Sequence, residues 1–367
     1  MIRSKTKNLY KMNFKVLAYS VALVFLAGCM KEDPVQTEDK SYYFPPVGKP
    51  DWDTLSFESQ GWNKVAFDEL KKYLGEKRTK SFMILVNGRI VVEEYFDGHT
   101  PTSTWQWNSA GKTLVSSLTG IAQEEGLINI NNSVSDYIGK KWTSAPEAKE
   151  NLIKVKHLLT MTSGIDDEES QLTLPSKLVY KADAGSRWAY HNIFQKLMDV
   201  VAETSNKSYD DYFNQKIKDK IGMDGFWKHG VIFRLYHSSA RSMARFGILA
   251  QNKGKWEETQ IIPEAFLFDA TKTSQDINPS YGYLWWLNGK SNFMLPGGQE
   301  VYNSTLIPAA PSDLYAAMGA EDQRLYLIPS KNMIIVRMGE AAFPLKPNFA
   351  ASDFDNELWV KINKVIK

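Results

Sequence analysis

The stretch Trp105-Gln106-Trp107-Asn108-Ser109-Ala110-Gly111-Lys112-Thr113-Leu114-Val115 decides how this chain is read. Leu114, Val115, Leu118, Ile121 and Ala122 recur at helical spacing and Gly126 supplies a stop, so the pattern predicts a mostly buried helix with Ser109 in its first turn. Lys112 lies three residues on, which puts its amine on the same helix face as the Ser109 hydroxyl. Backbone N–H groups in a first turn have no partner within the helix and favour negative charge. A nucleophile, its base and part of an oxyanion site can therefore come from one turn. Spacing alone is weak: Ser4-Lys5-Thr6-Lys7 has the same Ser-x-x-Lys pattern with no such helix behind it. Without further support Ser109 is equally a capping hydroxyl and Lys112 a solvated side chain.

The flanking elements predict a sheet with a helical insertion. A helix from about 62 to 74, with Val65, Ala66, Leu70 and Tyr73 on one side, precedes strands at 82–86 and 90–96 joined by the hairpin signal Asn87-Gly88. Helices follow near 152–161, 192–204, 208–220, 238–252 and 263–271, the last with Pro263 in its first turn. Strands return near 281–288, 313–319, 323–328 and 332–338, and a helix from about 352 to 366 closes the chain. Short links make the late strands antiparallel neighbours. The fold class expected is α/β of the α+β type: an antiparallel sheet flanked by the N- and C-terminal helices, with a mostly helical lobe inserted. The sheet lobe spans about 51–108 and 275–367 and the helical lobe about 109–274. A ligand cleft between them would have the Ser109 helix at its border.

A second stretch, Asp183-Ala184-Gly185-Ser186-Arg187-Trp188-Ala189-Tyr190-His191-Asn192, is a turn-rich approach to a helix that presents Tyr190 and Asn192 on either side of His191. Tyr212-Phe213-Asn214 has the same spacing, but inside a periodic helix where Tyr212 is a packing residue. A serine hydroxyl needs a neighbouring base. A lysine serves only if its environment leaves it neutral, and a tyrosine can relay the proton to the leaving group. Ser109, Lys112 and Tyr190 together suffice for acyl transfer without histidine, metal or other cofactor.

Composition sets the setting. The formal charge is +2, and removing the five cations Arg3, Lys5, Lys7, Lys11 and Lys15 of the leader leaves −3, which argues against nucleic acid as partner. That basic leader precedes an apolar run from Val16 to Leu26, too short to span a bilayer and of signal-peptide length. It ends in Leu26-Ala27-Gly28-Cys29, which resembles the lipobox of bacterial lipoproteins. The resemblance implies a signal peptide at 1–28 and a lipidated Cys29 anchoring the protein to a bacterial membrane on its extracytoplasmic side. The polar, acidic and proline-bearing composition up to Pro50, with only Tyr42-Tyr43-Phe44 able to pack, reads as a flexible tether at 29–50 that docks late. Cys29 is the only cysteine, so no intrachain disulfide forms.

With these motifs in order, the chain resembles the serine hydrolases that include class C β-lactamases, D-alanyl-D-alanine carboxypeptidases, related esterases and the 6-aminohexanoate-dimer hydrolase. The likeness runs from about Phe82 to Met338. It includes Ser109 to Lys112, Glu125-Gly126-Leu127-Ile128, His157-Leu158-Leu159-Thr160-Met161-Thr162-Ser163-Gly164-Ile165, Tyr190-His191-Asn192 and Ile221-Gly222-Met223. It implies a β-lactamase/transpeptidase-like fold over 51–367. By it Ser109 is the acylated nucleophile, Lys112 its base, Tyr190 the proton shuttle and Asn192 a substrate contact. The substrate is a small ester, amide or peptide.

One departure bears on the substrate. Where the family often has Lys-Thr-Gly or His-x-Gly on a strand lining the cleft, this chain has Ala317-Met318-Gly319, then Ala320. Gly319 still lets backbone approach a ligand, and the N–H of Ala320 pairs with that of Ser109 as an oxyanion hole. The missing cation weakens recognition of a β-lactam or peptide carboxylate and favours a simpler ester or amide. β-Lactamase or D-alanyl-D-alanine peptidase activity, or an envelope-ligand binding module without turnover, are the alternatives. The five histidines lack metal-ligand spacing, and Asp166-Asp167-Glu168-Glu169 lacks the glycine and alternation of a calcium loop. Trp105, Trp107, Trp188, Trp285 and Trp286 are read mostly as core, with one or two lining an acyl pocket.

Overall fold

At Asn87 and Gly88 the chain takes positive φ values of 49° and 79°, the two-residue turn whose twist suits a tight hairpin. It joins β1 (Thr79–Val86) to β2 (Arg89–Tyr95). The computed structural model describes residues 41–168, 172–230, 232–344 and 351–366. The expected signal peptide, Cys29, the first half of the tether and Glu169 lie outside the described residues.

In chain order the elements that frame the site are α1 (Lys64–Glu76), β1, β2, β3 (Trp105–Gln106), α2 (Lys112–Glu124), α3 (Gln195–Ser205), β4 (Phe226–His229) and β5 (Arg234–Ser238). They continue as α4 (Ala240–Gln251), α5 (Glu264–Ala270), β6 (Trp286–Leu287), β7 (Tyr315–Gly319), β8 (Gln323–Ile328), β9 (Met333–Gly339) and α6 (Asp353–Val365). The main sheet is antiparallel throughout, in the order β2-β1-β9-β8-β7-β6. The early hairpin thus joins the late strands in one sheet, as its sequence pattern predicts.

Both faces of that sheet are covered, so its strands are buried nearly end to end rather than alternately. Successive strand residues point to opposite faces. Arg324 on β8 reaches Asp355 at the start of α6, whereas Leu325 meets α4, where it and Ile334 come within 2.9 Å of the position a Cβ on Gly247 would take. Helices α1 and α6 pack together, with Tyr73 stacked on Phe354 and the Asn63 N–H bonded to the Val365 carbonyl at 2.8 Å.

Several expectations shift. Helix α1 starts two residues later than its pattern suggests, and its buried face is Phe67, Leu70, Tyr73 and Leu74; Val65, on the side roughly opposite these four, stands 71% exposed. Pro263 precedes α5 rather than entering its first turn. Only Trp286–Leu287 of 281–288 pairs as a strand, next to Tyr315 and Ala316. The interval read as helical also contains β4 and β5, which form a three-stranded sheet with β3 in the order β3-β5-β4, and α4 within that interval packs on the main sheet. From Tyr43 to Pro50 the stretch read as a tether is docked: Tyr43 N–H bonds the Asn87 carbonyl, Arg245 binds the carbonyls of Pro45 and Pro46, and Arg241 that of Pro50.

Helix α2 is buried at every position from Lys112 to Ala122, so its setting is fixed on all sides. A Cβ on Gly120 would lie 2.3 Å from the Phe266 ring of α5. Gly120→Ala is expected to destabilise the protein by about 2 kcal/mol despite alanine's better helix propensity, because the ring must be displaced. Thermal or denaturant unfolding of the variant measures this.

Candidate active site

A cavity of about 320 Å³ opens where the turn before α2, the segment before α3, the start of β5 and the end of β7 meet. Its wall contains Ser109, Lys112, Tyr190, Asn192 and Ala320, residues separated by up to two hundred positions in the chain.

Ser109 sits in a 3-10 turn, Asn108–Gly111, that runs directly into α2. Asn108 takes φ of +49°, a left-handed conformation that asparagine tolerates better than most residues. Its side-chain amide donates to the Ala320 carbonyl at 2.8 Å, tying the turn to the end of β7. The Ser109 hydroxyl caps nothing; Lys112 Nζ donates to its Oγ at 2.8 Å. The plain capping alternative for this pair is therefore not what the fold contains.

Lys112 is 3% exposed and makes no ion pair among the described residues. Burial lowers its pKa to about 7, since no fixed negative charge offsets the loss of hydration. The amine lies 4.5 Å from the centre of the Tyr190 ring and 4.3 Å from that of Phe194. Such faces favour the charged form, but the desolvation penalty outweighs them.

Tyr190 is held from behind by Trp188, Tyr281 and Trp286, with ring centres 6.2, 6.0 and 5.7 Å away. Burial pushes its phenol up; the Ser109 hydroxyl and the positive charge of Arg324 oppose this only in part. The phenol oxygen makes no hydrogen bond of ordinary geometry, although Ser109 lies near enough to act on its titration. His191, between Tyr190 and Asn192, is brought down to about 4 by burial and is neutral at ordinary pH.

Gly319 ends β7 against the Ser109 turn: a Cβ there would lie 2.4 Å from the Trp107 carbonyl oxygen and 3.0 Å from the Ser109 nitrogen. Only glycine permits that approach. Ala317, at the position of the expected cationic side chain, is fully buried and brings only a methyl group. Below the strand end, the buried Arg324 donates to the Gly319 carbonyl at 2.8 Å and pairs with Asp322 and Asp355. Arg337 donates to the carbonyl of Glu321 at 2.8 Å.

Sequence reasoning missed part of the wall. Phe194, Arg234 and Glu321 line the cavity, and Asp167, read as part of a solvated acidic turn, lines it as well. Only Glu321 had a signal to follow, its place directly after Ala320. The tryptophans are mostly core, as read, with Trp107, Trp188, Trp285 and Trp286 buried, but none lines the cavity, and Trp188 and Trp286 instead support Tyr190. The apolar lining comes from Phe194, Phe233, Leu235 and Pro296.

The profile described as Beta-lactamase matches residues 70–352, nearly the whole of the sheet and its insertion. The chain belongs to the beta-lactamase family. Members of this family are serine hydrolases. No curated protein matches the chain. Among solved structures, a candidate 6-aminohexanoate-dimer hydrolase from Bacillus anthracis is 20% identical with a TM-score of 0.64, covering 89% of this chain and 87% of that one. A candidate beta-lactamase from Bacteroides dorei is 12% identical with a TM-score of 0.65, covering 83% and 99%. A family VIII carboxylesterase is 14% identical with a TM-score of 0.63, covering 86% and 99%. At these identities the likeness establishes the beta-lactamase fold.

The Lys112 environment makes a stability prediction. In the unfolded chain this amine titrates near its ordinary value of 10.5, whereas in the fold it titrates near 7, so the unfolded state binds more protons between those values. Its burial therefore costs most at and below pH 7, and the cost fades as pH rises toward 10.5. Lys112→Met is expected to stabilise the protein by about 1–3 kcal/mol at neutral pH, with a smaller gain in alkali. Unfolding of both proteins across pH checks the sign.

Proposed function

We propose that this beta-lactamase family member is an ester- or amide-cleaving serine hydrolase that works through an acyl-enzyme on Ser109. The observation that carries this is the buried, unpaired Lys112 amine 2.8 Å from Ser109 Oγ in a cavity wall shared with Tyr190. With its pKa near 7, Lys112 is neutral in a large fraction of molecules at physiological pH and takes the Ser109 proton as Oγ attacks the carbonyl carbon. The N–H groups of Ser109 and Ala320 are assigned to the oxyanion that forms, a reading supported by the close approach of Gly319 to the Ser109 turn and by the Asn108 tie to Ala320. Tyr190, kept as a neutral phenol by burial, is suited to donate a proton to the leaving group and then to take one from the water that cleaves the acyl-enzyme. The proton returns through Lys112, so each cycle leaves the protein unchanged. Asn192 is assigned a contact to the substrate carbonyl or amide.

The absent cation at Ala317 favours esters and simple amides over β-lactams and carboxylate-ended peptides. The Leu26-Ala27-Gly28-Cys29 motif supports an extracytoplasmic location with a lipid on Cys29.

A fluorophosphonate probe is expected to label Ser109 alone, and Ser109→Ala to lose both label and hydrolysis of a short-chain p-nitrophenyl ester by about a thousandfold or more. Peptide mapping of the adduct decides; label on another residue, or turnover by the variant, overturns the assignment. The same ester is expected to be cleaved better than nitrocefin.

Because the base acts in its neutral form, kcat/KM is expected to rise with pH through about 7 and then level off. A pH–rate profile of the wild-type protein tests this. A rising limb near the ordinary lysine range would show that Lys112 is not desolvated as assigned.

A further inference from the structure

Besides His191 and the phenol of Tyr190, four ionisable side chains line the cavity: Lys112, Asp167, Arg234 and Glu321. Two of them have partners of opposite charge: Asp167 pairs with Arg187 at 2.6 Å, and Arg234 with Asp199 at 2.7 Å, a carboxylate that Lys196 also contacts at 3.0 Å. Lys112 is committed to Ser109. Glu321 is different. Among the described residues no cation lies within ion-pairing distance of its carboxylate, whose hydrogen bond comes from the neutral amide of Gln106 at 2.8 Å.

This acid is also held in place. Glu321 takes φ of +60° and Asp322 +58°, left-handed conformations that cost a residue with a side chain. They persist because Arg337 donates to both their carbonyls, at 2.8 and 3.1 Å, and Arg324 fixes Gly319 just before them. Asn108 fixes Ala320 from the other side. The carboxylate is thus carried on the residue next to Ala320, at the rim of the reaction centre, on backbone that cannot relax away from it. An unbalanced negative charge in a partly enclosed apolar cavity attracts a cation and repels an anion more strongly than it would in water.

We propose that Glu321 selects substrate by charge, and that the preferred substrates are esters or amides carrying an ammonium group that reaches the Glu321 carboxylate from the carbonyl held at Ser109. This rests on the acyl-transfer role of Ser109. It goes further in naming the substrate class: cationic substrates first, neutral ones next, and those with a carboxylate near the scissile bond last. The methyl of Ala317 and the charge of Glu321 act in the same direction, one withholding attraction from an anion and the other adding repulsion.

The test uses three p-nitrophenyl esters of similar length and shape: 4-(trimethylammonio)butanoate, its uncharged isostere 5,5-dimethylhexanoate, and the anionic hemiester of glutarate. The wild-type protein is expected to show kcat/KM for the cationic ester about tenfold or more above the neutral one, with the anionic ester lowest. Glu321→Gln, which keeps the side-chain shape and an acceptor for Gln106, is expected to bring the cationic-to-neutral ratio to within about threefold. The ratio is the readout, so a general loss of activity in the variant does not mimic the effect. Independently of any variant, the wild-type preference is expected to shrink as ionic strength is raised, because salt screens the attraction. Hydrolysis dependent on Ser109 but with equal ratios in wild type and Glu321→Gln, or with the anion preferred, overturns the selector and leaves the hydrolase intact. Hydrolysis of none of the three esters, or hydrolysis that survives Ser109→Ala, overturns the acyl-transfer role itself and the selector with it.

Discussion

The backbone of Gly319 lies so close to the turn carrying Ser109 that no side chain fits between them, and the rest of the site depends on that contact. It brings the last residue of an inner strand against the first residues of a buried helix, two elements with different supports. The strand is set by its neighbours in the sheet and by the buried Arg324, whose charge is balanced by Asp322 and Asp355. The helix is set by packing on every side. Because both are rigid, the seam between them is rigid, and small groups such as the N–H of Ala320 acquire a defined position relative to Ser109. A loop-built site would hold that spacing less well.

The interior of the protein is used to alter the chemistry of one amine. Among the described residues Lys112 has no carboxylate partner, and the ring faces of Tyr190 and Phe194 do not make up for the water removed from it, so its pKa falls to about 7. The same burial that suits it to the proposed role of base is a burden on the fold, a conflict common at sites where function opposes stability. Tyr190 is treated in the opposite sense by the same physics: a neutral acid loses its charge-bearing form on burial, so its phenol is pushed up while the amine is pushed down. Two groups with ordinary values close to each other are thereby driven apart, and their acid and base characters follow from position alone.

How far the sequence reached depended on whether the signal was local. The Asn87-Gly88 hairpin, the run from Leu114 to Ala122 and the late strands each carry their structure in their own spacing, and each is found close to where its pattern puts it. The strand read at 281–288 shortens to Trp286–Leu287, and the strands of the small β3-β5-β4 sheet are too short for a pattern to reveal them. The tryptophans near the site were visible, yet which way each faces is a property of packing, and they turned out to brace Tyr190 rather than line the cavity. Glu321 had its place after Ala320 as a signal, but one acid among many gains meaning only when the partners of the other charges around the cavity are seen.

The sequence by itself determined the pairing of Ser109 with Lys112, because three residues of helix place two side chains on one face whatever surrounds them, and it determined the family through an ordered set of such local motifs. Only the tertiary structure decided that Tyr190 joins them across some eighty residues, that Lys112 is stripped of water and of counter-charge, and that Glu321 stands unbalanced beside the proposed oxyanion site. Those three facts are sums over contacts from distant parts of the chain, and no stretch of it carries them alone.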